Sequence, residues 1–216
     1  MSRIPHEVEI GALALKGLLG ASERSSALII FAHGSGSGRL SPRNNYVAEA
    51  LRKSGLATLL LDLLTPEEEI RRSNVFDIPL LAERLLLATV WAREQAATAQ
   101  LPIGYFGAST GAGASLVAAA DDGRIFAIVS RGGRPDLAGG ALERVRAPTL
   151  LIVGGNDRQV IALNREAQQR LKAESKLVIV PDATHLFEEP GALDEVIAHA
   201  SRWFLTHLPE PMRRSA

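Results

Sequence analysis

The motif Gly-x-Ser-x-Gly at residues 107–111 is the part of this sequence best suited to chemistry. It follows the apolar run at residues 102–106 and precedes a helical run of small residues at 112–120, so the local order is strand, sharp turn and helix. A serine at such a turn adopts a strained backbone, and the two glycines leave room where the strand and the helix pass closest. Ser109 is therefore the candidate nucleophile.

A serine hydroxyl becomes a good nucleophile when a base takes its proton, and an imidazole suits that role because it titrates near neutrality. His185 and Asp157 each follow an apolar run, at residues 176–180 and 149–153. Reacting groups gather at the carboxyl ends of strands in an open α/β sheet, so both side chains can meet Ser109 there. Asp157 would hold the imidazole in the tautomer that accepts the serine proton. The sequence predicts Ser109, His185 and Asp157 as the catalytic residues.

Other residues compete for the roles of base and acid. Asp182 lies three residues before His185 on the same strand exit, where an aspartate more often shapes a turn. Asp157 taken alone would be interpreted as the cap of the next helix, and its coincidence with a candidate serine and histidine favours the catalytic interpretation. His199 and His207 fall in the last helical segment, and we interpret them as surface or core residues.

A loop rich in glycine and serine begins at Gly34, after another apolar strand. Acyl transfer creates an oxyanion, and loss of one backbone N–H donor aimed at it costs about 2.7–4 kcal/mol. We assign the two donors to Ser35 and Thr110, the residue after the nucleophile. Gly34 and Gly36 would let a substrate approach the loop backbone. A nucleotide-binding glycine motif is excluded because Arg39 stands where its last glycine would be needed.

Further polar and aromatic residues have two interpretations each. His33 is interpreted as a structural support of the glycine loop, with a second catalytic base as the alternative. Arg131 and Arg134 could bind a substrate carboxylate, although ion pairs with acidic neighbours are the preferred interpretation. Trp203 and Phe204 are interpreted as core residues, with a dimer face as the alternative.

Composition excludes several classes of function. Formal net charge is zero, so the chain lacks the basic field of a nucleic-acid-binding protein. The chain has no cysteine, which excludes disulfides, a thiolate nucleophile and cysteine-built metal sites. We expect no metal and no organic cofactor. No apolar run reaches the length of a membrane span, and residues 1–7 lack the apolar core of a signal peptide, so we expect a cytoplasmic protein with no membrane partner.

The rest of the chain alternates apolar strands and helical segments. This alternation predicts the α/β fold class, with a mostly parallel, doubly wound sheet flanked by helices in a single domain of residues 1–216. Predicted strands are 8–15 and 16–19 as a hairpin, then 27–32, 57–61, 102–106, 125–130, 149–153 and 176–180. Predicted helices are 41–54, 78–95, 112–120, 160–174 and 191–208, with loops or short helices at 65–77 and 131–147.

The chain resembles the α/β-hydrolase superfamily over essentially its whole length, through His33-Gly34, the motif around Ser109, Gly155-Asn156-Asp157 and Ala183-Thr184-His185. Residues 33–44 and 130–136 resemble the dienelactone-hydrolase-related group. Named members of that group use a cysteine nucleophile, and Ser109 occupies its place here. Similar domains also occur beside a phosphoribosyltransferase domain. The resemblance implies an α/β-hydrolase fold, and residues 131–148 are too few to form the helical cap domain that many superfamily members insert there.

The function expected from the motifs and the resemblance is a serine carboxylesterase that cleaves small, short-chain esters. Ser109 would form an acyl-enzyme, and His185 would activate water to release the acid. Lactone or thioester hydrolysis and acyl transfer are alternatives on the same triad. A hydrolase-fold binding module without turnover is an alternative of a different class. The expected partner is a small-molecule ester, and the expected state is a monomer or a homodimer.

Overall fold

A computed structural model describes residues 4–210 of the 216-residue chain. Eight strands form one sheet in the order β1-β2-β4-β3-β5-β6-β7-β8. Strands β3 to β8 run parallel to one another, and the hairpin β1-β2 joins them antiparallel through β4. The predicted mostly parallel, doubly wound sheet is confirmed. The strands are His6–Ile10 (β1), Leu15–Gly20 (β2), Leu28–Ala32 (β3), Ala57–Leu61 (β4), Ile103–Ala108 (β5), Ile125–Arg131 (β6), Thr149–Gly154 (β7) and Ser175–Val180 (β8).

Helices connect the parallel strands and cover both faces of the sheet. Local signals set where they begin: Ser41 caps the first helix with Pro42 in its first turn, and the Asp77 side chain accepts from the Leu80 N–H at the start of the third. Within residues 4–210 no helix is long and apolar enough to cross a membrane. The helices are Pro42–Lys53 (α1), Pro66–Glu69 (α2), Ile78–Glu94 (α3), Thr110–Asp121 (α4), Arg158–Arg170 (α5) and Ala192–Thr206 (α6), with 3-10 segments at Asn74–Phe76 and Pro135–Arg144.

Two apolar layers enclose the sheet because successive strand residues point to opposite faces. Ile30 of β3 packs in the layer that contains α3 and α4, while its neighbour Phe31 packs in the layer that contains α1 and α6. The central strands are therefore buried on both faces, which explains their unbroken apolar runs. Trp203 and Phe204 of α6 are buried in the second layer, in agreement with their interpretation as core residues.

The largest differences from the predicted boundaries lie in the first hairpin and in α5. The first hairpin turns at residues 11–14 and not at 15–16, because Gly11 and Ala14 both have positive φ values, of 61° and 50°. α5 begins two residues earlier than predicted and ends at Arg170, since Leu171 is extended and leads directly towards β8. The two irregular segments contain only short helices, as expected.

Candidate active site

Ser109 lies in the sharp turn between β5 and α4, with φ 50° and ψ −122°. Residues other than glycine rarely adopt this conformation, so the surrounding structure must hold it. A Cβ atom on Gly107 would lie 2.5 Å from Ala112 Cα, and one on Gly111 would collide with the Ala32 carbonyl oxygen. The two motif glycines are therefore required by the close approach of strand and helix.

The glycine loop after β3 passes directly beside this turn. A Cβ atom on Gly34 would lie 2.9 Å from Ser109 Cβ, so any side chain there would displace the nucleophile. Within residues 4–210, the backbone N–H groups of Ser35 and Thr110 donate to no other backbone group. Thr110 is the first residue of α4, where the helix dipole favours negative charge. Neither N–H group is therefore committed to a backbone acceptor in the described part of the chain.

Asp157 and His185 meet at the ends of β7 and β8. Asp157 Oδ2 lies 2.6 Å from His185 Nδ1. Asp157 occupies the cap position of α5, but its side chain makes no capping hydrogen bond, so it serves the imidazole and not the helix. Donation of the Nδ1 proton to Asp157 leaves Nε2 as the basic nitrogen.

Asp182, the alternative acid, has a turn role. Its φ is 58°, and its carbonyl oxygen accepts a hydrogen bond of 2.8 Å from the Asn156 side-chain amide. The structure thus brings Asp157, and not Asp182, into contact with the imidazole.

Ser109 and His185 line the same cavity, whose volume is about 510 Å³. Among the described residues no hydrogen bond joins the Ser109 hydroxyl to the imidazole, and such bonds often tighten only when substrate binds. Asp157 and Thr110 lie outside the lining. No acidic residue is part of it, whereas two arginines and a histidine are. The lining residues are Gly34, Ser35, Gly36, Ser37, Gly38, Ser41, Pro42, Arg43, Ala108, Ser109, Arg131, Gly132, His185 and Leu186.

His33 supports the start of the glycine loop. Its Nε2 accepts a hydrogen bond of 3.0 Å from the Leu63 N–H, which leaves the Nδ1 proton to be donated to the Gly34 carbonyl at 2.9 Å. Burial lowers the pKa of His33, so the ring stays neutral near pH 7. This is the supporting contact that the sequence predicts for His33.

Arg131 departs from the expected ion pairing. Only 8% of the residue is exposed, and its Nε and Nη1 atoms have no hydrogen-bond partner. Within residues 4–210, the one hydrogen bond of the guanidinium is a 3.4 Å contact from Nη2 to Asn44 Oδ1, and the guanidinium forms no ion pair. Burial, with the nearby charge of Arg43, lowers the pKa of Arg131 to about 10. The expected acidic partner exists for Arg134, which binds Asp136 at 2.9 and 2.7 Å, and is absent for Arg131.

Across residues 4–210, no group of three or more histidine, aspartate or glutamate side chains is arranged to hold a metal ion.

A serine in a positive-φ turn after a parallel strand, with a histidine–aspartate pair at the ends of later strands, defines the α/β-hydrolase class. The chain is 55% identical to a solved dienelactone hydrolase from Anabaena variabilis ATCC 29413, over 96% of this chain and 100% of that one, with a TM-score of 0.91. It therefore belongs to the dienelactone hydrolase family of the α/β-hydrolase superfamily. Est1E from Butyrivibrio proteoclasticus shares the fold, with 16% identity, a TM-score of 0.79 and coverage of 96% and 100%.

Two curated Mycobacterium tuberculosis proteins, both with the provisional name phosphoribosyl transferase, are 57% identical to the chain over 206 residues. The match covers 95% of this chain and 46% of each relative, so the chain spans less than half the length of the curated relatives it matches. No family model matches the chain.

Proposed function

We propose that this hydrolase-fold chain is a serine carboxylesterase that cleaves small, short-chain esters. The observation that carries the proposal is the Asp157–His185 hydrogen bond at the edge of the cavity that contains Ser109. In the proposed reaction, His185 Nε2 takes the Ser109 proton and Ser109 Oγ attacks the ester carbonyl. Asp157 stabilises the imidazolium that forms.

The oxyanion of the tetrahedral intermediate is held by the backbone N–H groups of Ser35 and Thr110 in this scheme. Collapse of the intermediate breaks the bond to the alcohol, which leaves with the proton of His185. Water, deprotonated by His185, then attacks the acyl-enzyme and releases the acid, and the proton returns to Ser109. The cycle needs no metal and no cofactor.

Arg131 supports a substrate that carries a carboxylate. Its guanidinium has no acidic partner within residues 4–210 and borders a cavity whose lining contains no acidic residue. A bound carboxylate would satisfy a charge that the protein leaves without a counter-ion. Gly34 and Gly36 contribute to the same proposal, since they leave the loop backbone open to the substrate.

The test is hydrolysis of p-nitrophenyl acetate, butyrate and octanoate by the wild type and by Ser109→Ala. We expect kcat to fall at least about 10³-fold in the variant, because the nucleophile acts together with its base. We also expect octanoate to be the slowest substrate of the wild type, since the cavity lining offers a long acyl chain only the apolar side chains of Pro42, Ala108 and Leu186. Thermal unfolding checks that both proteins are folded.

Ser37→Ala is the matched control, because Ser37 lines the cavity and has no part in the proposed cycle. Equal rates in wild type and Ser109→Ala would remove the esterase proposal.

Lactone hydrolysis, thioester hydrolysis and acyl transfer use the same residues and remain alternatives within this proposal. A panel of one lactone, one thioester and one ester of the same acid, with and without an alcohol acceptor, separates them by kcat/KM.

The alternative of a non-catalytic binding module is tested with a fluorophosphonate. In a non-catalytic module, this reagent would label Ser109 no faster than any exposed serine. The phosphoribosyl transferase name belongs to relatives more than half of whose length lies outside the match, and it adds no reaction to the proposal.

A further inference from the structure

The glycine loop beside Ser109 is held at both ends by two consecutive residues that follow β4. At the start of the loop, the Leu63 N–H donates to His33 Nε2 at 3.0 Å. At the end of the loop, the Asp62 carboxylate accepts from the backbone N–H of Arg39 at 2.7 Å and also from its guanidinium. The end of β4 therefore fixes where the loop begins and where it ends.

The contact at Asp62 is built into the backbone of the loop. A Cβ atom on Gly38 would lie 2.7 Å from Asp62 Oδ1, so a side chain there would push the carboxylate away from its present position beside the Arg39 N–H. On the other side, the Asn45 side-chain amide donates to the Arg39 carbonyl at 2.8 Å. Both polar groups of the Arg39 backbone are thus tied to neighbouring elements.

The middle of the loop depends on these ends because it has little packing of its own. Gly36 has φ 69°, and a Cβ atom added there would find no neighbour within 4 Å. One internal hydrogen bond, from the Ser37 N–H to the Gly34 carbonyl at 3.2 Å, shapes the turn. The position of the Ser35 N–H relative to Ser109 is therefore set from outside the loop.

We infer that Asp62 is a positioning residue that holds the Ser35 N–H in the oxyanion hole. The inference rests on the proposed esterase function. Asp62 is not part of the cavity lining, so it acts through Arg39 and does not touch the substrate. An oxyanion donor is used most strongly in the transition state, and a displaced donor lowers kcat more than it changes KM.

The first test is the Asp62→Ala variant, assayed with p-nitrophenyl butyrate. We expect kcat to fall about 10–100-fold, as for partial loss of one oxyanion donor, while KM stays within about twofold. The affinity for a trifluoromethyl ketone, which forms a tetrahedral adduct with a serine, should fall by the same factor as kcat.

Two further variants separate the backbone contact from the ion pair. Arg39→Ala removes the guanidinium but keeps the N–H that Asp62 binds, so its loss of kcat should be smaller than that of Asp62→Ala. Asp62→Asn keeps an oxygen acceptor, and its loss should be about three- to tenfold because a neutral acceptor is weaker. Asp62→Asn also provides a second readout of the same contact in case Asp62→Ala does not fold.

The matched control is Asp122→Ala. The Asp122 carboxylate, like that of Asp62, is bound by arginine: Arg93 donates at 2.5 Å and Arg124 at 3.0 Å. Asp122 lies at the far end of α4 from Ser109. This variant should lose stability and keep kcat. A fall in kcat equal to that of Asp62→Ala would overturn the inference, because both losses would then reflect general destabilisation.

Amide hydrogen exchange of Ser37 and Arg39, whose N–H groups are hydrogen-bonded in this loop, gives a readout that does not depend on activity. Exchange should be faster in Asp62→Ala than in wild type and unchanged in Asp122→Ala. A folded Asp62→Ala protein with wild-type kcat, or with unchanged exchange in the loop, would overturn the inference. If wild type and Ser109→Ala hydrolyse the esters equally, the proposed function fails, and the exchange rates alone decide whether Asp62 holds the loop.

Discussion

At the scale of single residues, Arg131 has the least ordinary environment in the candidate site. The residue is 8% exposed and has no acidic partner in the described chain. Its guanidinium therefore loses hydration that no protein anion replaces. Its pKa of about 10 still leaves it charged at pH 7. Phe187 lies under the guanidinium, 5.9 Å from Arg131 Cζ to the ring centroid, and supplies only a weak cation–π contact. Under the proposed function, a substrate carboxylate in the cavity would supply the missing counter-ion.

Replacement of Arg131 by glutamine should therefore change the choice between substrates. We expect the ratio of kcat/KM for mono-p-nitrophenyl glutarate to that for p-nitrophenyl butyrate to fall about 10–100-fold, because only the first ester carries a carboxylate. Arg134→Gln is the control, since its guanidinium already binds Asp136. An equal change for both esters in Arg131→Gln would show that the arginine supports the fold and does not recognise the substrate.

At the scale of elements, His33 connects the end of β3 to the end of β4, because its Nε2 accepts a hydrogen bond from the Leu63 N–H. Stability at this connection depends on pH because the imidazole can be protonated. Its folded-state pKa is lowered by burial, so between that value and the unfolded value near 6.5 the unfolded chain binds more protons. The free energy of unfolding therefore rises with pH through this window. The contribution of His33 to that free energy is lost progressively as pH falls below about 6.5. Protonation of Nε2 would also remove the acceptor of the Leu63 N–H.

The variant His33→Leu tests this linkage, because leucine is similar in size and has no acceptor atom. At pH 7 we expect the wild type to be the more stable protein, by about 1–3 kcal/mol, because the buried Leu63 N–H loses its acceptor in the variant. The difference should shrink as pH falls from 7 to 5, since only the wild type has an imidazole to protonate. Urea unfolding at several pH values measures it. A difference that stays constant over this range would contradict the role assigned to His33.

Elements buried on both faces can be predicted well from their residue types. The run at residues 57–61 is apolar or β-branched at every position, and its predicted bounds match β4. The first hairpin was placed wrongly because Ala12, Leu13 and Ala14 continue an apolar pattern, while the turn depends on the positive φ of Ala14. Nothing in an alanine side chain signals that conformation.

The same contrast applies to the site. Asp157 and His185 could be paired from the sequence because each follows a parallel strand, and such ends lie together. The isolation of Arg131 and the role proposed for Asp62 could not be predicted from the sequence, because they depend on side chains that the fold brings together from far along the chain. Asn44 is 87 residues from Arg131, and Arg39 is 23 residues from Asp62. Which of several charged residues find partners is decided by tertiary packing.

At the scale of the whole molecule, the cavity lies at the carboxyl ends of the parallel strands, and within residues 4–210 no cap domain is inserted over it. The segment between β6 and β7 contains the 3-10 helix Pro135–Arg144, which packs against α4 and α5. None of the residues of this 3-10 helix belongs to the cavity lining, to which the segment contributes Gly132. The expectation that residues 131–148 are too few for a cap domain agrees with this arrangement.

An uncovered cavity predicts simple kinetics on emulsified substrates. Enzymes with a lid gain rate when an interface opens it, whereas a preformed site has no such step. With tributyrin, we therefore expect the rate to follow a hyperbola as concentration rises through the solubility limit, for both wild type and the Ser37→Ala control. Titration of the acid released at constant pH measures it. A sharp rise in rate at the solubility limit would mean that a segment of the chain closes over Ser109 in solution and opens at the interface.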